Sequence, residues 1–391
     1  MVSLILTNLK HFLITSLILL LVGVAVIVSI GGHIGLAEST LAYKIGNEGP
    51  HVFYQENGLM AETIRGGRDD GFYIEKHFVK TGDTLKTSVH FPLDGSEFDI
   101  EIADNFSTPE TVYDDDQAIV AISDIEGNYR AFRDFLIAHD VVDTDLNWAF
   151  GRGHLVLVGD FVDRGSSTTQ VLWLIYKLEQ EARAAGGNVH FILGNHEIKN
   201  LQGNFQSAAD KYFYVAGALG KPQYELFSDN SFLGRWMASK NTAERINGIL
   251  FMHGGIHPDL SNMDYTLDDL NQIVRANYRK VFMPWREAGK ENILMDTRNG
   301  PSWYRGYFKS DLSQAIVDAG LAKFEAKAIV VGHQPQWSVR ALYDKKVFAI
   351  DVHHPDDYSG SFPTKSSEGL LISSDGKFMR LTEDGGRHTL N

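Results

Sequence analysis

The sequence predicts an α/β protein with mixed sheets, a small N-terminal β unit and one N-terminal transmembrane helix. From Gln117 onward, strand-like apolar runs alternate with helical segments, which is typical of layered α/β folds. A late series of strands at 346–352, 369–374 and 377–382 indicates that the sheets are mixed rather than purely parallel. The first 36 residues stand apart because they are almost entirely apolar.

The apolar N-terminus predicts a signal-anchor or transmembrane segment over residues 1–36. Residues 12–30 carry no charge and are long enough to cross a bilayer as a helix. Lys10 is the only Lys or Arg before this run, and Lys44 is the first after it, so the N-terminus should be cytoplasmic. The remaining chain would be extracytoplasmic, hence periplasmic in a Gram-negative cell. The alternative is a signal peptide cleaved near Gly35-Leu36-Ala37, which would give a secreted protein.

Residues 37–113 are predicted to hold a linker and then the small β unit. Residues 37–50 are rich in glycine and small polar residues, as linkers often are. Within 51–113, segments at 51–55, 71–79, 85–91 and 98–102 have strand-like composition and are separated by turn-forming runs. No pattern in this unit suggests chemistry, so we expect a structural or docking role.

Residues 114–391 are predicted to form one large domain. Helices are expected at 129–139, 168–185, 268–279 and 312–321. Strands are expected at 117–123, 154–158, 189–193, 248–252 and 327–331.

Composition narrows the function. The net charge of −14 argues against a general nucleic-acid binder, which usually has a basic surface. The chain has no cysteine, so disulfides and thiolate metal ligands are excluded. Any metal ion must be held by Asp, Glu, Asn, His and water, which suits Mn, Fe or Zn, with Mg possible at an oxygen-rich position.

A polar cluster follows each of those five strands. The clusters are Asp124-Ile125-Glu126-Gly127-Asn128, Gly159-Asp160-Phe161-Val162-Asp163-Arg164-Gly165, Gly194-Asn195-His196-Glu197, His253-Gly254-Gly255 and Gly332-His333. A lone Asp-x-Glu is usually a helix cap and a lone His is usually structural. Five such strand endings together indicate a single site, and these residue types suit a pair of metal ions with the chemistry to cleave phosphate esters.

These motifs, in this order, resemble those of the calcineurin-like metallophosphoesterases. Val162-Asp163-Arg164-Gly165, Gly194-Asn195-His196-Glu197 and His253-Gly254-Gly255 resemble the phosphoprotein phosphatase branch. The longer run from Ile192 to Gly203 is similar to the Shewanella-like protein phosphatases. The resemblance covers about residues 117–355. It implies a two-sheet mixed β-sandwich flanked by helices, the αββα metallophosphoesterase fold, with residues 114–391 as the catalytic domain.

The resemblance also implies a role for each matching residue. Two divalent metal ions would be held by Asp124, Glu126, Asp160, Asn195, His253 and His333. His196 would protonate the leaving oxygen, and Asp163 would orient it. The substrate phosphate would contact Arg164, Asn195 and His196, with Arg305 as the second phosphate-binding arginine or, alternatively, in a surface salt bridge.

Two positions depart from the family pattern. The family usually has histidine where this chain has Glu126, so three carboxylates would face the first metal and favour Mn²⁺ or Mg²⁺. Pro335 replaces a second histidine found in many metallophosphoesterases, a replacement shared with the phosphoprotein phosphatase branch. His353, His354 and the aromatic segment 205–224 could line the same edge or be ordinary structural residues.

The sequence therefore predicts a membrane-anchored metallophosphatase that hydrolyses phosphomonoesters, with Mn²⁺ favoured and Fe, Zn or Mg as alternatives. Phosphoproteins, including phosphotyrosine, are the expected substrates. One rival is an extracytoplasmic small-molecule or nucleotide phosphatase, and the other is a non-catalytic phosphoryl-binding module. The expected partners are a phosphorylated substrate and the membrane, but no nucleic acid; the oligomeric state is left open.

Overall fold

Two six-stranded mixed sheets form the centre of the structure, a computed structural model that describes residues 2–29, 34–38, 41–104, 106–284, 292–309 and 312–390. The described residues form nineteen strands: β1 Ile34–Glu38, β2 His51–Gln55, β3 Gly58–Gly67, β4 Gly71–Lys80, β5 Leu85–Phe91, β6 Ser96–Ile102, β7 Val112–Tyr113, β8 Ile119–Ile122, β9 His154–Val158, β10 Asn188–Ile192, β11 Ala243–Ile246, β12 Ile249–Met252, β13 Ala328–Val331, β14 Arg340–Leu342, β15 Val347–Ala349, β16 Ser359–Phe362, β17 Glu368–Ile372, β18 Phe378–Thr382 and β19 Arg387–Thr389.

The helices connect these strands. Among the described residues they are α1 Val2–Ser29, α2 Leu41–Ile45, α3 Tyr129–Ala138, α4 Thr168–Ala185, α5 Asn195–Leu201, α6 Asp210–Ala218, α7 Phe232–Ala238, α8 Leu267–Arg275, α9 Asn292–Met295 and α10 Gln314–Lys323. The four predicted helices correspond to α3, α4, α8 and α10. The short helices α5, α6 and α7 were not predicted.

The first central sheet has the strand order β10-β9-β8-β17-β18-β19, and the second has the order β14-β15-β13-β12-β11-β7. In the first sheet, β8, β9 and β10 are parallel, whereas β17 to β19 add antiparallel strands. In the second, β12, β13 and β15 are parallel. The predicted two-sheet mixed architecture is therefore confirmed.

An apolar layer joins the two sheets. Val156 and Val158 of β9 meet Phe251, Val330 and residues like them from the second sheet. The alternate residues of β9, Leu155 and Leu157, belong instead to the core shared with the helices. Because side chains alternate along a strand, a strand buried on both faces is apolar at every position, as 154–158 is.

The N-terminal β unit packs against the large domain through a common core. It consists of the β2-β3-β4 sheet and the β5-β6 hairpin. Phe232 of α7 stacks between Tyr54 of β2 and Trp173 of α4. The Trp173 indole donates a 2.8 Å hydrogen bond to the carbonyl oxygen of Pro50. Strand β3 was not predicted, although it forms the centre of this sheet.

Residues 41–50, the larger described part of the predicted linker, are anchored rather than free. They include α2 and the fully buried Glu48. The Glu48 carboxylate accepts a 2.7 Å hydrogen bond from the ammonium of Lys211, which is itself 2% exposed. Thr169 and Gln170 of α4 also donate to this carboxylate. A buried charge needs such partners, so the chain at residue 48 is held against α4 and α6.

In the described part of the chain, one helix is long and apolar enough to cross a membrane, at residues Ile5–Ser29. No part of its most apolar stretch is buried against the protein. Membrane anchors and signal sequences share this length and composition, and both were predicted for this segment.

Candidate active site

The predicted site residues lie at one edge of the two central sheets. Strands β8, β9 and β10 are parallel neighbours, as are β12 and β13, so their carboxyl ends open on the same side. The polar residues that follow these ends are Asp124, Asp160, Asn195, His253 and His333. In α/β sheets this edge is where ligands bind.

Backbone conformation marks the same residues. Six of the predicted site residues have φ between 51° and 71°, in the left-handed region that non-glycine residues rarely adopt: Asp124, Glu126, Asp160, Asp163, Arg164 and His333. Such conformations cost free energy and cluster at functional sites. The sharp turns direct these side chains away from the ends of their strands.

Glycines allow the strand-end loops to touch. A Cβ atom on Gly159 would lie 2.6 Å from Nδ1 of His253, and one on Gly332 would lie 2.5 Å from a carboxylate oxygen of Asp124. A Cβ on Gly194 would collide with the Asp160 carboxylate. The glycine beside each polar residue is therefore required by close approach, and the loops pack as one body.

Asp160, His253 and His333 form the centre of the site. Each is buried, and each offers one ligand atom within 4.8 Å of the others. His253 donates from Nδ1 to the carbonyl oxygen of Val158 at 2.7 Å. Its Nε2 then faces Asp160 Oδ2 and Asn195 Oδ1, each at 3.1 Å. His253 Nε2 and these two oxygens all carry lone pairs directed at one another. Their repulsion is relieved by a second proton on His253 or by a bound cation.

The pKa values of His253 and His333 also indicate that this group of residues favours a positive charge. Burial disfavours the charged His253 ring, but Asp160 and Asp124 outweigh burial and raise the pKa of His253 to about 9. Burial and the charge of His253 lower the pKa of His333 to about 2, which leaves that ring neutral, as a metal ligand must be. The residues present therefore fit a divalent metal ion.

Buried carboxylates surround this centre. Burial, followed by the charge of Asp351, raises the pKa of Asp124 well above its usual range. Burial, followed by the charge of Glu126, does the same for Asp351. Sequence reasoning did not select Asp351, yet it is only 3% exposed and follows the strand β15. An acidic residue just beyond a buried strand was the signal that would have identified it.

Glu126 differs from the other predicted metal ligands in its partner. Its carboxylate forms a close ion pair with the Arg164 guanidinium. Among the described residues, the ligand group within 4.8 Å includes neither Glu126 nor Asp124. Asp124 is held nearby, because its Oδ2 accepts a 3.2 Å hydrogen bond from the backbone N–H of His333.

His196 is positioned by three contacts at the start of α5. Its Nδ1 donates to Asp163 Oδ2 at 2.7 Å, and its backbone N–H donates to Asp160 Oδ1 at 2.9 Å. Nε2 then lies 3.8 Å from Asp160 Oδ2. Asn200, one turn later, donates to the other oxygen of Asp163 at 2.7 Å. The imidazole is therefore fixed beside the metal-ligand group.

Glu197 has a structural role that sequence reasoning missed. Its carboxylate is fully buried and accepts backbone hydrogen bonds from Asp160, Phe161 and Gly194, each at 2.8 or 2.9 Å. Burial raises its pKa to about 7. Glu197 thus ties the second polar cluster to the third.

A cleft of about 780 Å³ opens above the site. Arg305 lies on its wall and donates from Nη2 toward His333 Nδ1 at 3.4 Å, with Gln334 Oε1 3.5 Å from Nη1. Trp303 and Tyr304 supply its aromatic surface. Of the segment 205–224, only Ser207 lines the cleft among the described residues, which favours the structural alternative for its aromatic side chains.

His354, which follows β15, differs from the predicted metal ligands. His354 is buried, and its Nε2 hydrogen-bonds the carbonyl oxygen of Ser123 at 2.9 Å while Nδ1 contacts Ser367 Oγ at 3.1 Å. It supports the backbone that precedes Asp124. Both nitrogens have partners, so His354 acts as a structural residue.

Comparison with known proteins identifies the family. The sequence profile of the calcineurin-like phosphoesterases matches residues 118–337, more than half of the chain. The protein is a calcineurin-like phosphoesterase. A cold-active protein-tyrosine phosphatase from a psychrophilic Shewanella species has a similar structure, with a TM-score of 0.76 and 32% identity. The match covers 88% of this chain and 99% of that one, so the likeness extends into the N-terminal β unit.

This phosphoesterase also resembles curated phosphatases. Shewanella-like protein phosphatase 2 of Arabidopsis thaliana is 26% identical over 43% of this chain and 53% of its own length. Shewanella-like protein phosphatase 1 of Plasmodium berghei is 26% identical over 60% of this chain and 66% of its own length. The chain thus spans about half to two thirds of these two relatives. The predicted family and a phosphatase activity are confirmed, and the family implies divalent metal ions.

Proposed function

We propose that this phosphatase hydrolyses phosphomonoesters of proteins with the help of two divalent metal ions, and that phosphotyrosine is among its substrates. One observation carries the proposal: His196, oriented by Asp163, lies beside the Asp160–His253–His333 group. A proton donor next to a metal-ligand group is the arrangement that ester hydrolysis by water requires.

Six residues would hold the two metal ions. Asp124, Glu126 and Asp160 would bind the first, and Asp160 would bridge to the second, with Asn195, His253 and His333 completing it. When bound, such ions lower the pKa of water and neutralise phosphoryl oxygens. The carboxylate-rich first position favours Mn²⁺, with Fe, Zn or Mg as alternatives.

The protein side chains would supply orientation and protons. Arg164 and Arg305 would bind phosphate oxygens through their planar guanidinium groups. The Glu126 carboxylate, paired with Arg164 in this structure, would hold that guanidinium at the cleft mouth. His196 Nε2 would give its proton to the leaving oxygen, while Asp163 stabilises the charged ring.

Two observations support phosphotyrosine. The Shewanella structural relative is named a protein-tyrosine phosphatase. The cleft of this chain offers the Trp303 and Tyr304 rings beside the site, and aromatic faces pack well against an aryl leaving group.

The anchor and its topology are part of the proposal. The exposed apolar helix Ile5–Ser29 and the absence of Lys or Arg between Lys10 and Lys44 support an extracytoplasmic catalytic domain, anchored or released by cleavage. In that compartment an extracytoplasmic small-molecule or nucleotide phosphatase is the second candidate, favoured by the same topology.

One set of assays tests the function. Mn²⁺-dependent hydrolysis of p-nitrophenyl phosphate is expected for the wild type and should be lost in Asp160→Asn. Lys377→Gln, a substitution on the β17–β18 turn at the opposite edge, is the matched control. Phosphotyrosine peptides should then be better substrates than nucleotides or sugar phosphates. Higher kcat/KM values for nucleotides would support the second candidate instead.

A further inference from the structure

The residues that line the cleft are basic although the protein is acidic. The chain has 50 Asp and Glu against 36 Lys and Arg. Yet the described residues that line the cleft include five cations and no Asp or Glu: Arg164, Lys199, Arg298, Arg305 and Lys309. Arg164 and Arg305 have proposed roles on the phosphate. The remaining three, which we call the outer cations, have none: Lys199, Arg298 and Lys309.

Lys199 is aligned with the reaction centre by helix geometry. It follows Asn195 by four residues and His196 by three on α5, so all three side chains share one face. Its ammonium lies 5.4 Å from the centre of the Trp303 ring. The Trp303 ring in turn lies 6.5 Å from His333. The Trp303 indole therefore lies between the Lys199 ammonium and His333 of the metal-ligand group.

The outer cations have no carboxylate within ion-pair distance among the described residues. Asp296, in the same loop as Arg298, is turned to the backbone instead: its Oδ1 accepts from the N–H groups of Arg298 and Asn299 at 2.7 and 3.1 Å. Among the described residues, three cations without a carboxylate partner are thus concentrated in a concave surface, which is unfavourable unless a ligand supplies the opposite charge.

We propose that the outer cations form a second anion subsite that selects phosphopeptides with acidic residues next to the phosphorylated residue. The proposal deepens the phosphoprotein phosphatase function above and rests on it. An extended peptide advances about 3.3 Å per residue, so carboxylates two or three positions from the phosphate would reach past Trp303 to Lys199. Arg298 and Lys309 are exposed residues lining the same cleft and would meet other acidic residues of the bound peptide.

The test compares peptides of one length that differ only around phosphotyrosine, with glutamate, alanine or lysine as flanking residues. For the wild type we expect kcat/KM to be about tenfold higher with glutamate than with alanine flanks, mainly through KM. The preference should decrease in 0.5 M NaCl, because exposed charge pairs are screened.

Single substitutions locate the subsite. Lys199→Gln, Arg298→Gln and Lys309→Gln should each lower the ratio of glutamate-flank to alanine-flank kcat/KM by about two- to fivefold. The triple variant should abolish the preference. Lys377→Gln removes the same charge at the opposite edge and should leave the ratio unchanged, which separates a local subsite from overall charge.

Failure of this proposal is distinguishable from failure of the proposed function. If the wild type shows no Mn²⁺-dependent hydrolysis of p-nitrophenyl phosphate, the phosphatase chemistry itself is refuted. If that activity is present but flank composition has no effect, or the triple variant keeps the preference, the subsite is refuted alone. A stronger dependence on the outer cations for nucleotides than for peptides would also overturn it.

Discussion

Replacing Glu48 with glutamine should destabilise the whole protein, although Glu48 lies outside the catalytic motifs. Burial opposes ionisation of this carboxyl, but the charges and hydrogen bonds of Lys211 and His51 lower its pKa far below the usual range. Glu48→Gln leaves the Lys211 ammonium buried without a counter-charge, facing only neutral acceptors such as the Ser166 carbonyl oxygen, 2.7 Å away. Breaking one side of a buried pair costs about 3–5 kcal/mol, a large fraction of a typical stability of about 5–15 kcal/mol.

Urea unfolding of the full chain in mild detergent, followed by tryptophan fluorescence, measures this loss. The double variant Glu48→Leu/Lys211→Met should recover most of it, because no unpaired charge remains. Glu101→Gln breaks the exposed pair with Lys86 and should cost less than ~1 kcal/mol. A Glu48→Gln loss below ~1 kcal/mol, or a double variant no more stable than Glu48→Gln, would refute the reasoning.

The direction of the Glu48 pKa shift determines how the stability provided by the Glu48–Lys211 pair depends on pH. A carboxyl whose pKa is lowered by folding stabilises the protein at pH values above its unfolded pKa of about 4.3. That stabilisation is lost as the pH falls below this value. The wild type should therefore lose stability below about pH 4 more steeply than Glu48→Leu/Lys211→Met does.

Three further predictions concern the site. Glu126→His should move the acidic limb of the pH–rate profile to lower pH, because a neutral ligand strengthens the metal's pull on water; an unshifted or raised limb would contradict this. His196→Asn should lower kcat by about 10²–10⁴-fold for alkyl phosphates. The loss should be smaller for p-nitrophenyl phosphate, because its leaving group needs no proton. Equal losses for the two substrates would exclude the role of His196 as general acid. Arg305→Ala should lower kcat/KM by about 10- to 100-fold, since hydrogen bonds to charged groups contribute about 1.5–3 kcal/mol, whereas an unchanged value would return Arg305 to a surface role.

The sequence predicted the centre of the molecule well, for a physical reason. Strand-end clusters such as Gly159–Gly165 combine a buried apolar run with charge, and this combination is rare unless the charge has a function. The order of the clusters resembled that of a known family. The structure and the comparisons with known proteins then confirmed the two sheets and the phosphatase activity. Local patterns were sufficient because each motif is contiguous.

Features that depend on distant residues were not predictable in this way. Strand β3 begins and ends in glycine and has little alternation, so only its pairing with β2 and β4 reveals it. The pairing of Glu48 with Lys211 joins residues 163 positions apart. The aromatic wall comes from Trp303 rather than from the segment 205–224, because a separate loop reaches the cleft. No single-residue pattern encodes these contacts.

The anchoring of residue 48 also constrains how the protein can be made. Glu48 is synthesised before the surfaces that bury it, which belong to α4 and α6 and follow more than a hundred residues later. Until then the Glu48 carboxylate lacks the partners it has in the folded protein, so the native contacts of residue 48 form only after α6 has been synthesised. If the chain crosses a membrane as proposed, that delay would keep it open for translocation and make folding on the far side depend on the complete domain.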